Sequence, residues 1–210
     1  MNKNIGGLSG LSKQDQLIRS EILKAGMVTH EIHLKYFPSM TPSEIRDKLE
    51  SLALDRHMRL CLHSVEVLII YYDCKAKPHY LIPRRPQGVD FTDKPIYGLA
   101  GGTSKDAYET PTQAAVRLLS FKYGININEE DLNLHGEPDV HLHTYEGNGD
   151  QCEFIAYRYV VVFEKGKPKM HINPNYADEM GNFTNENQPN ADEVLATQIS
   201  FIDEMIATFG

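Results

Sequence analysis

Three groups of residues in this 210-residue chain have types and spacings that can do chemistry. Arg84-Arg85 close an apolar segment. Guanidinium forks match phosphate oxygens, and at a strand end they serve equally well as solvent-facing charges. His141 and His143 alternate, so on a strand both point to one face, near Asp139 and Glu146. Two imidazoles and a carboxylate can hold a transition metal, or form a polar surface ladder. The third group lies in residues 99–125, LAGGTSKDAYETPTQAAVRLLSFKYGI: a glycine pair, Gly101-Gly102, then Glu109, Arg117, Lys122 and a closing Gly124-Ile125. Ala115, Leu118, Leu119 and Tyr123 recur at helical spacing, which predicts an amphipathic helix after a glycine turn.

In order and spacing this third group resembles the Nudix box. That pattern is a glycine, five residues, a glutamate, seven residues, then Arg-Glu-aliphatic-x-Glu-Glu-x-Gly-aliphatic. Gly101-Gly102 match the turn and Glu109 the first glutamate. Arg117 matches the arginine after the same seven-residue gap, and Gly124-Ile125 match the close. Tyr97, five residues before Gly102, stands where the family often has tryptophan. The stretch between Gly102 and Glu109 is one residue longer than the pattern, and Ala100 replaces the usual proline. The three positions of the essential glutamates hold Leu118, Phe121 and Lys122.

The resemblance implies an α/β/α sandwich with a mixed sheet. In the family it also implies cleavage of a diphosphate linked to another group, assisted by a hard divalent cation, usually Mg²⁺, on carboxylate oxygens. Glutamates three or four residues apart offer those oxygens on one helix face. A leucine and a phenylalanine cannot coordinate the ion, and a lysine repels it. The resemblance therefore implies a degenerate box that binds a nucleotide, another diphosphate-containing ligand or a protein partner without efficient hydrolysis. The ligand-binding candidates are Arg84, Arg85, Gly101, Gly102, Glu109, Arg117 and Lys122. The Lys122 ammonium can neutralise phosphate in place of a metal, or it is a solvated lysine on the exposed side of the helix. An active hydrolase instead needs Mg²⁺ on acids outside the box, such as Glu129, Glu130, Asp139 or Glu146.

Composition narrows the class. Hydrophobic residues at 41% and charged ones at 24% are globular values. The longest apolar run, around 65–70, is strand-sized, well short of the ~20 residues of a membrane span. MNKNIGGLSG lacks the apolar core of a secretory signal. Three scattered cysteines, Cys61, Cys74 and Cys152, suit a reducing compartment, and a cytoplasmic protein is expected. Cys152 reads as a buried structural thiol. No GxSxG, P-loop or HExxH motif is present. The net charge of −8 is uneven: residues 1–60 carry nine Lys/Arg against seven Asp/Glu, the remainder twelve against twenty-two. An acidic body repels nucleic acid.

The elements that must position these groups fall into two stretches. Residues 1–60 read as three helices: Ser12 to Ala25 with Gly26 as stop, a second capped by Thr29 and ended by Pro38, and a third opened by Thr41-Pro42-Ser43-Glu44, a capping box with proline at the first helical position. Ile45, Leu49 and Leu52 line one face of the third. Three helices followed by a strand resemble a winged helix-turn-helix, or form a helical cap or dimerisation appendage to a homodimer. The third helix balances Arg46, Lys48 and Arg56 against Glu44, Asp47, Glu50 and Asp55, whereas DNA needs a basic face. Residues 61–210 read as the Nudix-like domain. Within it 65–72 and 79–83 form a hairpin and 139–145 pairs with 153–163. Glu129-Glu130-Asp131 forms a helix-start cluster, Lys165–Asn190 is a long polar loop, and Phe201–Phe209 is a closing helix.

Overall fold

The structure, a computed structural model, describes residues 10–87, 94–144 and 148–210. It divides into two compact units. One comprises the described chain up to His63 with 104–110 and 139–155; the other comprises 64–103, 111–138 and 156–210. Glu146 lies outside the described residues.

In the first unit the helix signals act as written in the sequence. The Ser12 side chain accepts from the Asp15 N–H to open α1 (Lys13–Ala25), and Gly26 closes it at φ +71°. Thr29 caps α2 (His30–Tyr36). Thr41 and Glu44 exchange both bonds of a capping box at the head of α3 (Pro42–Ser51), with Pro42 in the first turn. Ile18, Ile22, Ile32, Phe37, Ile45, Leu49 and Leu52 bury one core with Leu60, Leu62 and Cys152. Strand β6 (Asp139–Thr144) pairs with β7 (Gln151–Phe163) as expected. His141 and His143 are half-buried on one face, while Val140 and Leu142 are exposed.

Arg46 departs from the surface role a DNA-facing helix would give it. It points inward at 5% side-chain exposure and pairs with Asp150 at 2.9 Å. It also donates to the carbonyls of Arg56 (2.7 Å), Met58 (3.3 Å) and Gln151 (3.3 Å). A guanidinium is buried only where its charge and its five donors find partners. Here it ties α3 to the turn before β7. Nearby, His63 stacks on His30 with ring centroids 4.1 Å apart. Burial, reinforced by His30 and His33, pushes the His63 imidazole down to about 4.

The second unit is a sheet in the order β3 (Ile96–Tyr97), β2 (Pro78–Arg85), β1 (Leu60–Tyr72), β7, β5 (Leu132–Leu134), with β4 (Ala100–Thr103) on β1 and β8 (Glu179–Phe183) on β2. β1 is apolar on both faces because side chains alternate across a strand and both sides are covered. Val65, Val67, Ile69 and Tyr71 pack with Ala115, Leu118, Leu119 and Tyr123 of α4 (Pro111–Tyr123). Leu68 and Ile70 pack with Phe201, Ile202, Met205 and Ile206 of α5 (Ile199–Phe209). The result is the α/β/α arrangement with a mixed sheet that the sequence leads one to expect. The hairpin register sets Ile69 opposite Leu81 and Tyr72 opposite Pro78. Among the described residues no helix is long and apolar enough to cross a membrane.

One expectation is corrected. Residues 165–190 are not loop throughout, because 179–183 form β8, with Glu179 opposite Arg84 and Phe183 opposite Tyr80. EMGNF carries no apolar alternation of its own. The strand forms because β2 offers it a free edge, and because Gly181 leaves room for the edge-to-face contact of Tyr97 and Phe183 at 5.0 Å.

Two outcomes follow from the first unit. Arg46→Ala breaks the pair with Asp150, which keeps His57 and Asn148 as partners, and removes the donor to three carbonyls; urea unfolding should show a loss of about 3 kcal/mol. A histidine pKa depressed by folding means that the unfolded chain, titrating near ~6.5, binds the proton first. The stabilisation is then complete above that value and is lost as pH falls toward 4. The urea midpoint should therefore fall between pH 6.5 and 5, above the carboxylate range, and His63→Gln should flatten that slope.

Candidate functional site

The glycine pair is where backbone meets helix. β4 lies antiparallel to β1, with Gly101 opposite Glu66 and Gly102 opposite Val65. A Cβ at Gly101 would stand 1.9 Å from the Val65 carbonyl oxygen, so no other residue fits. A Cβ at Gly102 would meet the Lys122 Nζ at 3.0 Å and the Leu118 methyls at 3.6 and 3.7 Å. Two residues without side chains thus let α4 press its Leu118–Lys122 turn against the strand.

The three positions where the resemblance has glutamates have other partners here. Leu118 is 4% exposed and belongs to the core between α4 and the sheet. Phe121 is exposed and lies edge-on to Tyr176 at 5.5 Å. Lys122 donates from Nζ to the Gly101 carbonyl at 2.7 Å and sits 4.9 Å over the Tyr176 ring. The solvated-lysine alternative therefore does not describe it. Arg117 donates to the Thr103 carbonyl at 3.1 Å. The strand-end arginines are also engaged. Arg85 donates to the Leu99 carbonyl at 2.7 Å, and Arg84 lies 3.9 Å from the Glu179 carboxylate. Glu109 is buried in the 104–110 segment, where its carboxylate accepts from the Lys105 N–H at 2.7 Å. The Asp106 carboxylate accepts from the Tyr108 and Glu109 N–H groups.

Tyr176 and its neighbours are contacts of this turn that the sequence did not single out. The His171 N–H donates to the Tyr123 carbonyl and the Asn173 N–H to the Lys122 carbonyl, both at 2.8 Å. They cap the open end of α4 with a segment distant in sequence. Gly124, at φ +64°, has no room for a Cβ, which would come within 2.8 Å of the His171 nitrogen. Ala177 is buried in the α4 core and Met170 and Ile172 pack against it. The segment from 170 to 177 is thus laid over the end of the helix that carries the box. Its polar composition predicts only a loop, and no local signal points to this docking. Glu66 was also missed. It accepts from Arg158 at 2.9 Å and from Gln198 at 2.6 Å. A single carboxylate inside an apolar strand is itself a signal of a buried pair.

Mg²⁺ does not fit these residues. It requires carboxylate or water oxygens in octahedral array. The box turn presents a buried aliphatic chain, a phenyl ring and an ammonium already bonded to a carbonyl. The described acids outside the box have other surroundings. Glu129 accepts from the Thr112 hydroxyl, Glu130 and Asp139 are exposed, and among the described residues no three His, Cys, Asp or Glu side chains could together hold a metal ion. His141 and His143 accordingly lack a third ligand in that set.

No family model matches this chain, and no curated protein matches it. Solved structures do. A Nudix hydrolase from M. smegmatis, RenU, is 20% identical over 70% of this chain and 87% of its own, with a TM-score of 0.47. A C. elegans Ap4A hydrolase in a binary complex is 15% identical over 70% and 92%, at 0.44. A bifunctional NMN adenylyltransferase/ADP ribose pyrophosphatase from Francisella tularensis, complexed with AMP and a Mn ion, is 19% identical over 80% of this chain, at 0.50. The match spans 48% of that protein's length. At this level of identity the likeness is one of fold: the chain has the Nudix hydrolase fold.

Lys122→Ala removes a charge-assisted bond to a strand carbonyl and should cost about 1–3 kcal/mol in denaturant unfolding. A change within the ~0.5 kcal/mol usual for surface substitutions would mean that the Gly101 contact contributes nothing.

Proposed function

We propose that this Nudix-fold protein is a pseudoenzyme that binds a nucleotide or another diphosphate-containing small molecule without efficient hydrolysis. The observation that carries the reading is the Lys122 ammonium, bonded to Gly101 at 2.7 Å within the turn where the resemblance has cation-binding glutamates. A fixed positive charge there attracts phosphate as a metal would, but it polarises no bound water for attack. A nucleotide is the member of this class to try first, since the Francisella protein that shares the fold was solved with AMP. Gly101, Gly102, Arg117 and Lys122 form the core of the proposed ligand site, with Arg84 and Arg85 as outer candidates; Glu109 belongs to the other unit. The three free thiols suit a cytoplasmic setting.

Two other readings draw less support. An active hydrolase would need Mg²⁺ on Glu129, Glu130, Asp139 or Glu146, and among the described residues no three acidic, His or Cys side chains could together hold a metal ion. A ligand-sensing regulator would use α3 as a recognition helix. Its exposed residues are Ser43, Glu44, Asp47, Glu50 and Ser51, while Lys48 is bonded to Asp15 and Arg56 lies beside Glu50. That face repels a phosphate backbone.

The test is paired. Incubation with ADP-ribose, dinucleoside polyphosphates, NADH and nucleoside triphosphates at millimolar Mg²⁺ or Mn²⁺ should give no turnover approaching the ~1 s⁻¹ floor of ordinary enzymes. The same compounds in EDTA should include at least one that raises the melting temperature by mass action. Turnover at enzymatic rates would overturn the reading, as would a stabilisation that vanishes in EDTA.

A further inference from the structure

The turn that follows β7 carries the sequence Glu164-Lys165-Gly166-Lys167-Pro168-Lys169. With Gly124, Ile125 and Asn126 at the end of α4, and Val162 and Phe163 of β7, it lines a cavity of about 540 Å³. That is within the range of small-molecule sites. Lys165, Lys167 and Lys169 are all exposed, and none forms an ion pair or hydrogen bond with a described residue. Several other lysines are engaged, with Glu21, Asp15, Glu186 and the Gly101 carbonyl as partners of Lys35, Lys48, Lys77 and Lys122. Three ammoniums stand against one carboxylate, Glu164, around a single hollow in a chain whose net charge is −8, so the local field there favours an anion.

A helix C-terminus ordinarily repels anions through its unpaired carbonyls. Here most of those carbonyls are already occupied. Leu119 accepts from the Ile125 N–H, Ser120 from Gly124, Lys122 from Asn173 and Tyr123 from His171. The Asn126 carbonyl oxygen accepts from the Ser120 hydroxyl at 3.0 Å, which leaves its amide N–H groups as donors at the cavity wall. Ile125, Val162 and Phe163 supply an apolar floor.

We infer that this cavity is an anion site for a polyphosphate chain, with Lys165, Lys167 and Lys169 neutralising it and the Asn126 amide donating to it. Such a chain comes either free or as part of a nucleotide. The site is distinct from the Lys122–Gly101 contact.

Calorimetric titration of the full chain with inorganic triphosphate and with ATP, both in EDTA at ~50 mM salt, tests it. Both should bind, and both should weaken as salt screens the ammoniums. Lys165→Gln/Lys167→Gln/Lys169→Gln, with an unchanged melting temperature, should lower both affinities about tenfold or more. Asn126→Asp, a single exposed change at the end of α4, should weaken them as well and stands in if the triple variant does not fold. Tighter ATP than triphosphate supports the site and assigns it to nucleotides; equal affinities support it and assign it to free polyphosphate. No binding by wild type, or undiminished binding by both variants, overturns the inference. If Lys122→Ala abolishes binding while the triple variant retains it, the anion sits on α4. This site is then wrong and the pseudoenzyme reading stands.

Discussion

The carbonyl oxygen of Val65 would lie 1.9 Å from any Cβ at position 101, and that exclusion sets how closely β4 can lie along β1. With glycine there and at 102, the strand backbone comes within reach of α4. Leu118 then closes the core, and the Lys122 ammonium reaches the Gly101 carbonyl. Tyr176 follows from the same placement, since its ring sits beneath that ammonium and against Phe121. The loop that carries Tyr176 is held in turn by two backbone bonds to the last carbonyls of α4. Substitution at Gly101 would disturb each of these contacts in sequence.

Leucine, phenylalanine and lysine, at the positions where the resemblance has carboxylates, set what kind of stability this turn supplies. Clustered glutamates repel one another until a cation arrives, so their turn is stabilised by a ligand. A buried leucine, a ring contact and an ammonium–carbonyl bond stabilise it with no ligand present. The turn therefore belongs to the folded core.

Charge is distributed to match. The buried Arg46–Asp150 and Arg158–Glu66 pairs hold segments that are far apart in sequence. The exposed lysines on the turn after β7 form no ion pair with a described residue. On α3 the basic residues are used internally and the exposed ones are acidic or neutral. The same formal charge count is therefore compatible with opposite surfaces, depending on which side chains are bonded within the fold.

The sequence by itself determined what depends on neighbours within a few residues. Thr41 and Glu44 predict a helix start because both halves of the capping box lie on the chain three residues apart. The alternation through 65–72 and the short turn after it predict the hairpin, and the glycine pair with its downstream spacing predicts strand, turn and helix in that order. Tertiary structure decided the rest. β8 exists because β2 has an edge to offer, not because EMGNF prefers to be extended. Arg46 turns inward because Asp150, 104 residues away by number, is there to receive it. Lys122 is neither solvated nor metal-like from its own surroundings in sequence. It becomes a strand contact because Gly101 and Tyr176 converge on it. Capping and alternation are short-range forces and can be read along the chain. The partner of a charge or of a strand edge is set by which distant segments fold together.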